Sequence, residues 1–155
     1  MPNWKYHITF SLVLFVLEIK ALETFDIFFS LSQLFILLLF VSFLSVLPDV
    51  DTSSSRIRNL LAVFSVSLTV SIFLLIGMER LEYYGFVGIV YLFVRFFPTR
   101  HRGITHTLYF GALLCSILSL ILWWFGFFKL NETLLVFLIL FSSHLSHLVL
   151  DKQFK

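Results

Sequence analysis

The sequence predicts an all-α fold, a polytopic transmembrane helical bundle of about six helices. Of the 155 residues, 59% are hydrophobic and only 13% are charged. A soluble domain carries roughly 25% charged residues, so water is not the solvent for most of this surface. Phe alone accounts for 21 residues, and this aromatic bulk packs more readily on lipid-facing helices than in a small soluble core.

Six apolar runs are candidate membrane spans, because a hydrocarbon core about 30 Å thick needs about 20 residues of helix. They are Trp4–Ala21, Ile27–Leu47, Ile57–Gly77, Tyr83–Phe97, Ile104–Phe128 and Leu134–Leu150. The fourth run is short, so five spans with one re-entrant segment are the alternative. No linker or repeat divides the chain, and residues 1–155 are predicted to form a single integral membrane domain.

The distribution of Lys and Arg predicts the orientation of the bundle, since cytoplasmic loops are enriched in both. Eight of these residues fall on one set of helix ends: Lys5, Arg56, Arg58, Arg95, Arg100, Arg102, Lys152 and Lys155. Three fall on the other: Lys20, Arg80 and Lys129. With an even number of spans, this bias places both termini in the cytoplasm.

All five His residues fall on the predicted cytoplasmic ends, together with three of the nine carboxylates. These residues are His7, Asp49, Asp51, His101, His106, His144, His147 and Asp151. The opposite ends hold Glu18, Glu23, Asp26, Glu79, Glu82 and Glu132 and no His. Ionisable groups near the hydrocarbon region are costly and usually mark a site. The alternative is that these side chains simply lie among the lipid headgroups.

The last helix brings three of these groups onto one stripe. His144, His147 and Asp151 are related as i, i+3 and i+7, which places them within roughly 60° of one another on a helix. Side chains on such a stripe can converge on a single ion. The second helix ends at Pro48, after which Asp49 and Asp51 alternate along an extended loop.

Alternating side chains point to opposite sides, so Asp49 and Asp51 are expected to serve different ions, or one to bind while the other orients a His. A turn with solvated carboxylates is the alternative.

Between His101 and His106, Gly103 allows a sharp turn. Thr105 is expected to cap the fifth helix and to place His106 in its first turn.

The positive end of that fifth helix would favour an anion, and Arg102 could grip phosphate oxygens in a bidentate manner. Headgroup contact is the alternative role for Arg100 and Arg102. Imidazole and carboxylate without thiolate indicate zinc first, with manganese or iron as alternatives, and one to three ions. A divalent ion held in this way turns bound water into a nucleophile.

The segments LPDVD, HRGITHT and SHLVLD, in this order, resemble those of the YdjM-type membrane-bound metal-dependent hydrolases. An early His recurs in that family, and His7 stands at the matching place. The resemblance implies a set of metal ligands: His7, Asp49, Asp51, His101, His106, His147 and Asp151. Of these, Asp49, His106, His147 and Asp151 are expected to be the main ligands, and His7, Asp51 and His101 to complete a second site or a second shell. Thr107 stands where the family often has Ser, and His144 has no clear counterpart. The family is distantly similar to zinc-dependent phospholipases C and related nucleases, which implies a phosphoester substrate.

The expected function is therefore a metal-dependent hydrolase that cleaves a phosphoester at the cytoplasmic interface, with Asp51 and Arg102 as catalytic residues. Membrane lipids are the expected partners, a phospholipid or phosphorylated lipid is the favoured substrate, and no nucleic acid is expected. The oligomeric state stays open. One alternative is a non-catalytic membrane protein with a structural metal site. A metal-ion transporter is the other, and the absence of His or acidic residues at mid-depth disfavours it.

Overall fold

The computed structural model describes residues 4–48, 59, 62, 63, 65–67, 69, 70 and 104–153, and every regular element among them is helical. The four α-helices with defined bounds are α1 (Trp4–Glu23), α2 (Leu31–Leu44), α3 (Leu108–Trp124) and α4 (Thr133–Gln153). Single 3₁₀ turns precede α3 (Ile104–His106) and α4 (Leu130–Glu132). The all-α prediction is confirmed for this part of the chain.

The number of membrane spans stays a prediction. Among the described helices, one stretch is long and apolar enough to cross a membrane, Leu130–Asp151, with a mean hydropathy of 2.0. The apolar helices α2 and α3 are shorter, with 14 and 17 residues. The described residues between 59 and 70 are helical, within the third predicted span, and the fourth predicted span lies outside the described residues. The single-domain prediction is likewise untested.

Local capping explains why α2 begins later than the predicted span. The Ser30 hydroxyl accepts from the Gln33 backbone N–H at 3.3 Å, and the Gln33 side chain accepts from the Ser30 N–H at 2.8 Å. This reciprocal capping box satisfies two backbone donors at the helix start. The helix therefore begins at Leu31 instead of Ile27, after a turn in which Asp26 has a φ of 59°.

The start of α3 differs from the prediction in a way that matters for the site. Thr107 caps the helix, and its hydroxyl accepts from the Phe110 N–H at 3.2 Å. Thr105 is buried, and its hydroxyl instead donates to the Pro48 carbonyl at 3.4 Å. The predicted Thr105 cap is therefore wrong, and His106 lies in the 3₁₀ turn before α3 instead of the helix's first turn.

The helix α4 is the centre of the described structure, because it packs against α1, α2 and α3. The core between these helices is apolar and is built mainly from residues such as Phe15, Ile36, Leu37, Val41, Leu122, Val136 and Leu140. The outer faces carry large exposed apolar side chains, including Val13, Leu17, Leu113, Leu134 and Leu138. Large exposed apolar surface of this kind is typical of an interaction or membrane surface. Most polar residues of α4 lie in its C-terminal half, from Ser142 onward.

Candidate metal centre

Four of the predicted ligands meet where α1 begins and α4 ends. The Asp151 carboxylate lies at the centre of this cluster, which consists of His7, His106, His147 and Asp151. Its Oδ1 lies 3.7 Å from Nε2 of His7, and its Oδ2 lies 3.4 Å from Nε2 of His106 and 3.8 Å from Nε2 of His147. The cluster thus unites α1, the 3₁₀ turn before α3, and α4.

The register between α1 and α4 explains how residues from opposite ends of the chain meet. His147 and Asp151 are one helical turn apart and share a face of α4. One turn deeper, the hydroxyls of Ser11 and Ser146 are 2.6 Å apart in a buried hydrogen bond. Because the two helices run antiparallel, this bond fixes the level at which His7 meets the end of α4.

Burial differs sharply across the cluster. The side chains of His7 and His147 are 1% and 0% exposed, whereas those of His106 and Asp151 are 12% and 10% exposed. Buried charged groups are normally paired or bound to a metal. The cluster is therefore closed toward the bundle and slightly open on the side of His106 and Asp151.

A hydrogen bond to the end of α2 determines which nitrogen of His147 faces the cluster. Nδ1 of His147 lies 2.7 Å from the carbonyl oxygen of Ser45. A carbonyl only accepts hydrogen bonds, so Nδ1 carries the proton and the neutral ring has its lone pair on Nε2, the nitrogen that faces Asp151. Metal-binding His residues are typically oriented by such a bond from their other nitrogen.

The spacing of the donor atoms of His7, His147 and Asp151 fits ligands of one ion. Two ligand atoms that each lie about 2.1 Å from a tetrahedral zinc ion are about 3.4 Å apart. The three distances to Asp151 are close to this spacing, and the ligand atoms of His7, His147 and Asp151 all lie within 4.8 Å of one another. His106 stands outside this group of three and approaches it through Oδ2 of Asp151. Imidazole and carboxylate are both ligands that zinc binds.

The arrangement of the rings agrees with neutral imidazoles. The rings of His7 and His147 are stacked, with centroids 4.0 Å apart and planes inclined by 22°. The ring of His106 meets His147 edge-on, at 5.6 Å. Two imidazolium cations stacked at this distance would repel each other, whereas neutral imidazole is the form that binds a metal.

The other predicted site residues, Asp49, Asp51, His101 and Arg102, lie outside the described residues, and their roles as ligands or catalytic residues stay predictions. The chain that leads to Asp49 does approach the cluster. Pro48 accepts from the Thr105 hydroxyl, one residue before His106, and Ser45 accepts from His147. The end of α2 therefore lies beside both the 3₁₀ turn and α4.

His144 shares the predicted stripe of α4 but faces a different neighbour. Seven residues of helix separate it from Asp151, an axial rise of about 10.5 Å. Its ring is fully buried and lies against Gly111 of α3, where an added Cβ would come 2.6 Å from Nε2 of His144. Of the three stripe residues, the structure brings His147 and Asp151 together and directs His144 toward α3.

Sequence reasoning missed the serines that support the cluster. Ser45 contributes its backbone carbonyl, and Ser11 and Ser146 bond to each other through their hydroxyls. The hydroxyl of Ser143 donates to the Val41 carbonyl at 2.7 Å and links α4 to α2. Serines recurring in otherwise apolar helices were the available signal, since such side chains often bond across membrane helices.

One acidic residue of the group at the opposite helix ends lies within a helix. Glu18, inside the first predicted span, is part of α1 and is half-buried against Ser142. It is about 16 Å along the helix axis from His7, so it belongs to the α1–α4 interface and not to the cluster.

Comparison with known proteins gives one result. A family model described as the YdjM inner membrane protein matches residues 1–153, nearly the whole chain. No curated protein and no solved structure matches the sequence.

Proposed function

The chain belongs to the YdjM inner membrane protein family, and from this premise we propose that it is a membrane-embedded, metal-dependent hydrolase. The observation that carries the proposal is the convergence of three imidazole Nε2 atoms on one carboxylate at 3.4–3.8 Å. His7, His106, His147 and Asp151 would hold a divalent ion, zinc in the first place, with manganese or iron as alternatives. One to three ions are proposed, since Asp49, Asp51 and His101 are further candidate ligands.

A bound divalent ion would supply Lewis acidity, polarising a phosphoryl oxygen and activating water for attack. The chain's own residues orient the metal-binding rings and close the cluster on the side of the bundle. The Ser45 carbonyl holds the His147 ring with Nε2 toward Asp151, and the buried rings of His7 and His147 close the cluster on the bundle side. Access is therefore proposed from the side of His106. Asp51 and Arg102 are the proposed catalytic residues, Arg102 holding the anionic group.

A lipid phosphoester is the proposed substrate, reached from the cytoplasmic side. The Lys/Arg bias supports that orientation. Large exposed side chains flank the cluster on both helices that border it, Tyr6 on α1 and Leu108 and Tyr109 on α3. Aromatic residues with one polar end are typical of the membrane interface. A substrate that diffuses within the membrane would therefore meet the cluster at headgroup depth.

A structural metal site is the second candidate, and the near-complete burial of His7 and His147 favours it. Structural zinc sites are closed by four protein ligands, whereas catalytic sites keep an open position. The two candidates differ in whether the loaded protein turns over a substrate.

The test is metal analysis and hydrolysis by the purified full-length protein. We expect a bound divalent metal and cleavage of phosphomonoesters, phosphodiesters or phospholipid vesicles. His147→Ala and Asp151→Asn are expected to lose both, while Asp26→Asn, which removes an exposed carboxylate in the turn after α1, keeps both. Unchanged metal content and activity in the first two variants would refute the proposal. Stoichiometric metal without turnover of any substrate would favour the structural site.

A further inference from the structure

We propose that His144 is a positioning residue that sets His106 against Asp151 by holding the first turn of α3. The inference rests on the proposed metal centre and concerns a histidine outside that cluster. It follows from where the His144 ring lies and from what is attached to the segment it touches.

Burying the polar side chain of His144 costs free energy at this position. Its side chain is fully buried in α4, one turn before His147, and among the described residues neither ring nitrogen has a hydrogen-bond partner of good geometry. A buried polar group without such a partner destabilises the fold, and an apolar side chain of similar size would not. The polar ring therefore calls for a role beyond filling space.

The backbone of α3 is shaped to receive this ring. An added Cβ at Gly111 would come 2.6 Å from Nε2 of His144 and into still closer contact with Cδ2. No real side chain occupies such a position, so the ring fills the space that any other residue at 111 would need. The ring of Phe110 lies nearby, at a centroid distance of 6.5 Å, and the backbone carbonyl of Thr107 lies beside the imidazole.

All three contacts fall on the N-cap and the first turn of α3, and the N-cap residue is bonded directly to the segment that carries His106. The Thr107 carbonyl accepts from the Gly111 N–H at 3.2 Å. The Thr107 hydroxyl donates to the Ile104 carbonyl at 2.7 Å and accepts from the Phe110 N–H. Thr107 thus joins the 3₁₀ turn to the helix, and His106 is the residue immediately before it.

These contacts connect His144 in α4 with Asp151, near the C-terminal end of the same helix, through the start of α3. His144 fixes the first turn of α3, that turn fixes the 3₁₀ turn, and the 3₁₀ turn presents His106 to Asp151, about two turns further along α4. The Thr107 carbonyl beside the ring is the acceptor that an imidazole N–H faces, at a geometry short of a standard hydrogen bond, so the connection combines shape with this polar contact. Residues that orient a metal ligand typically change metal affinity about 10- to 100-fold when they are replaced.

The experiment measures Co²⁺ binding to the purified full-length protein, with affinity and the visible absorption spectrum as readouts beside the melting temperature. We expect His144→Leu to weaken Co²⁺ binding about 10- to 100-fold and to alter the spectrum, because His106 is displaced. His144→Gln retains an amide donor and is expected to stay close to the wild type. Wild-type affinity and spectrum in His144→Leu would overturn the inference, as would equal losses in both variants.

A second pair of variants separates positioning from packing and covers the case in which a single variant folds poorly. Gly111→Ala inserts a methyl group where the ring lies, and removing the ring in Gly111→Ala/His144→Ala makes room for it. We expect the double variant to regain melting temperature relative to Gly111→Ala while its Co²⁺ binding stays weak. Wild-type Co²⁺ affinity in the double variant would show that His144 only fills space. A wild-type protein that binds no Co²⁺ and no Zn²⁺ would instead refute the metal centre itself.

Discussion

Metal binding at the cluster should stabilise the whole described bundle, because the ligands come from three separate elements. His7 lies on α1, His106 on the turn before α3, and His147 and Asp151 on α4. The unfolded chain does not hold these residues together, so the ion binds almost only to the folded state. A ligand present at about 100 times its dissociation constant then stabilises the fold by about 2.7 kcal/mol.

This free energy converts into a measurable shift in melting temperature. For chains of about 150–250 residues, 1 kcal/mol corresponds to about 2–4 °C, so saturation with Zn²⁺ should raise the melting temperature by about 5–11 °C. The assay is thermal unfolding in detergent, after chelation and removal of the chelator, with stepwise addition of Zn²⁺. Mg²⁺, which prefers oxygen ligands, should give a much smaller shift.

The variants decide whether the shift arises at the cluster. Asp151→Asn removes the charge on which the three imidazoles converge and should abolish most of the Zn²⁺-dependent stabilisation, as should His147→Ala. Asp26→Asn, at an exposed turn, should respond as the wild type does. An equal Zn²⁺ shift in the wild type and in the Asp151→Asn/His147→Ala double variant would refute the reasoning, since the ion would then bind elsewhere.

Three further outcomes are expected. The affinity for Zn²⁺ should fall as the pH is lowered from about 7.5 to about 5.5, because imidazole ligands must be deprotonated; a titration showing constant affinity would contradict this. Glu18→Gln should raise the melting temperature, since an amide keeps contact with Ser142 without the cost of burying a charge; a marked fall would show that the carboxylate is needed. Ser143→Ala should lower the free energy of unfolding by only about 1 kcal/mol, because the Val41 carbonyl still accepts from the Ser45 N–H at 3.0 Å, and chemical denaturation measures this.

The part of the site on α4 could be predicted from local spacing alone. His147 and Asp151 are one turn apart, and any helix through them places both side chains on one face. Predicting the contact of His7 with these residues also requires the number of spans. An even number places the start of the first helix and the end of the last helix on the same side of the membrane. The family resemblance implies these residues among others, and the structure brings Nε2 of His7 and of His147 to 3.7 and 3.8 Å from the Asp151 carboxylate.

The errors at the helix ends have two different physical origins. The start of α2 was readable, because Ser30 and Gln33 have the spacing of a capping box, and the apolar run before them hid it. The start of α3 was not readable, because Thr105 and Thr107 are equally good caps by residue type. The choice is made by a tertiary contact, the bond from Thr105 to the carbonyl of Pro48, which lies 57 residues away in the sequence.

A network of charged histidines around Asp151, without any metal, is the simplest rival explanation of the cluster, and its geometry disfavours it. Hydrogen bonds from N–H to oxygen are typically 2.7–3.2 Å, whereas the three contacts to Asp151 measure 3.4–3.8 Å. Two of the three rings, those of His7 and His147, are stacked, and two imidazolium charges at that distance would repel each other.

The helix ends add a further reason to expect a cation. The cluster lies at the C-terminal ends of α2, through Ser45, and of α4, through Asp151. The carbonyl groups at these ends carry partial negative charge, which disfavours a lone carboxylate and favours a positive ion. An added divalent cation relieves both the unfavourable position of Asp151 and the spacing that is too long for direct bonds. Protonated histidines would supply positive charge, but the distances of 3.4–3.8 Å from their nitrogens to the Asp151 oxygens would still exceed those of hydrogen bonds.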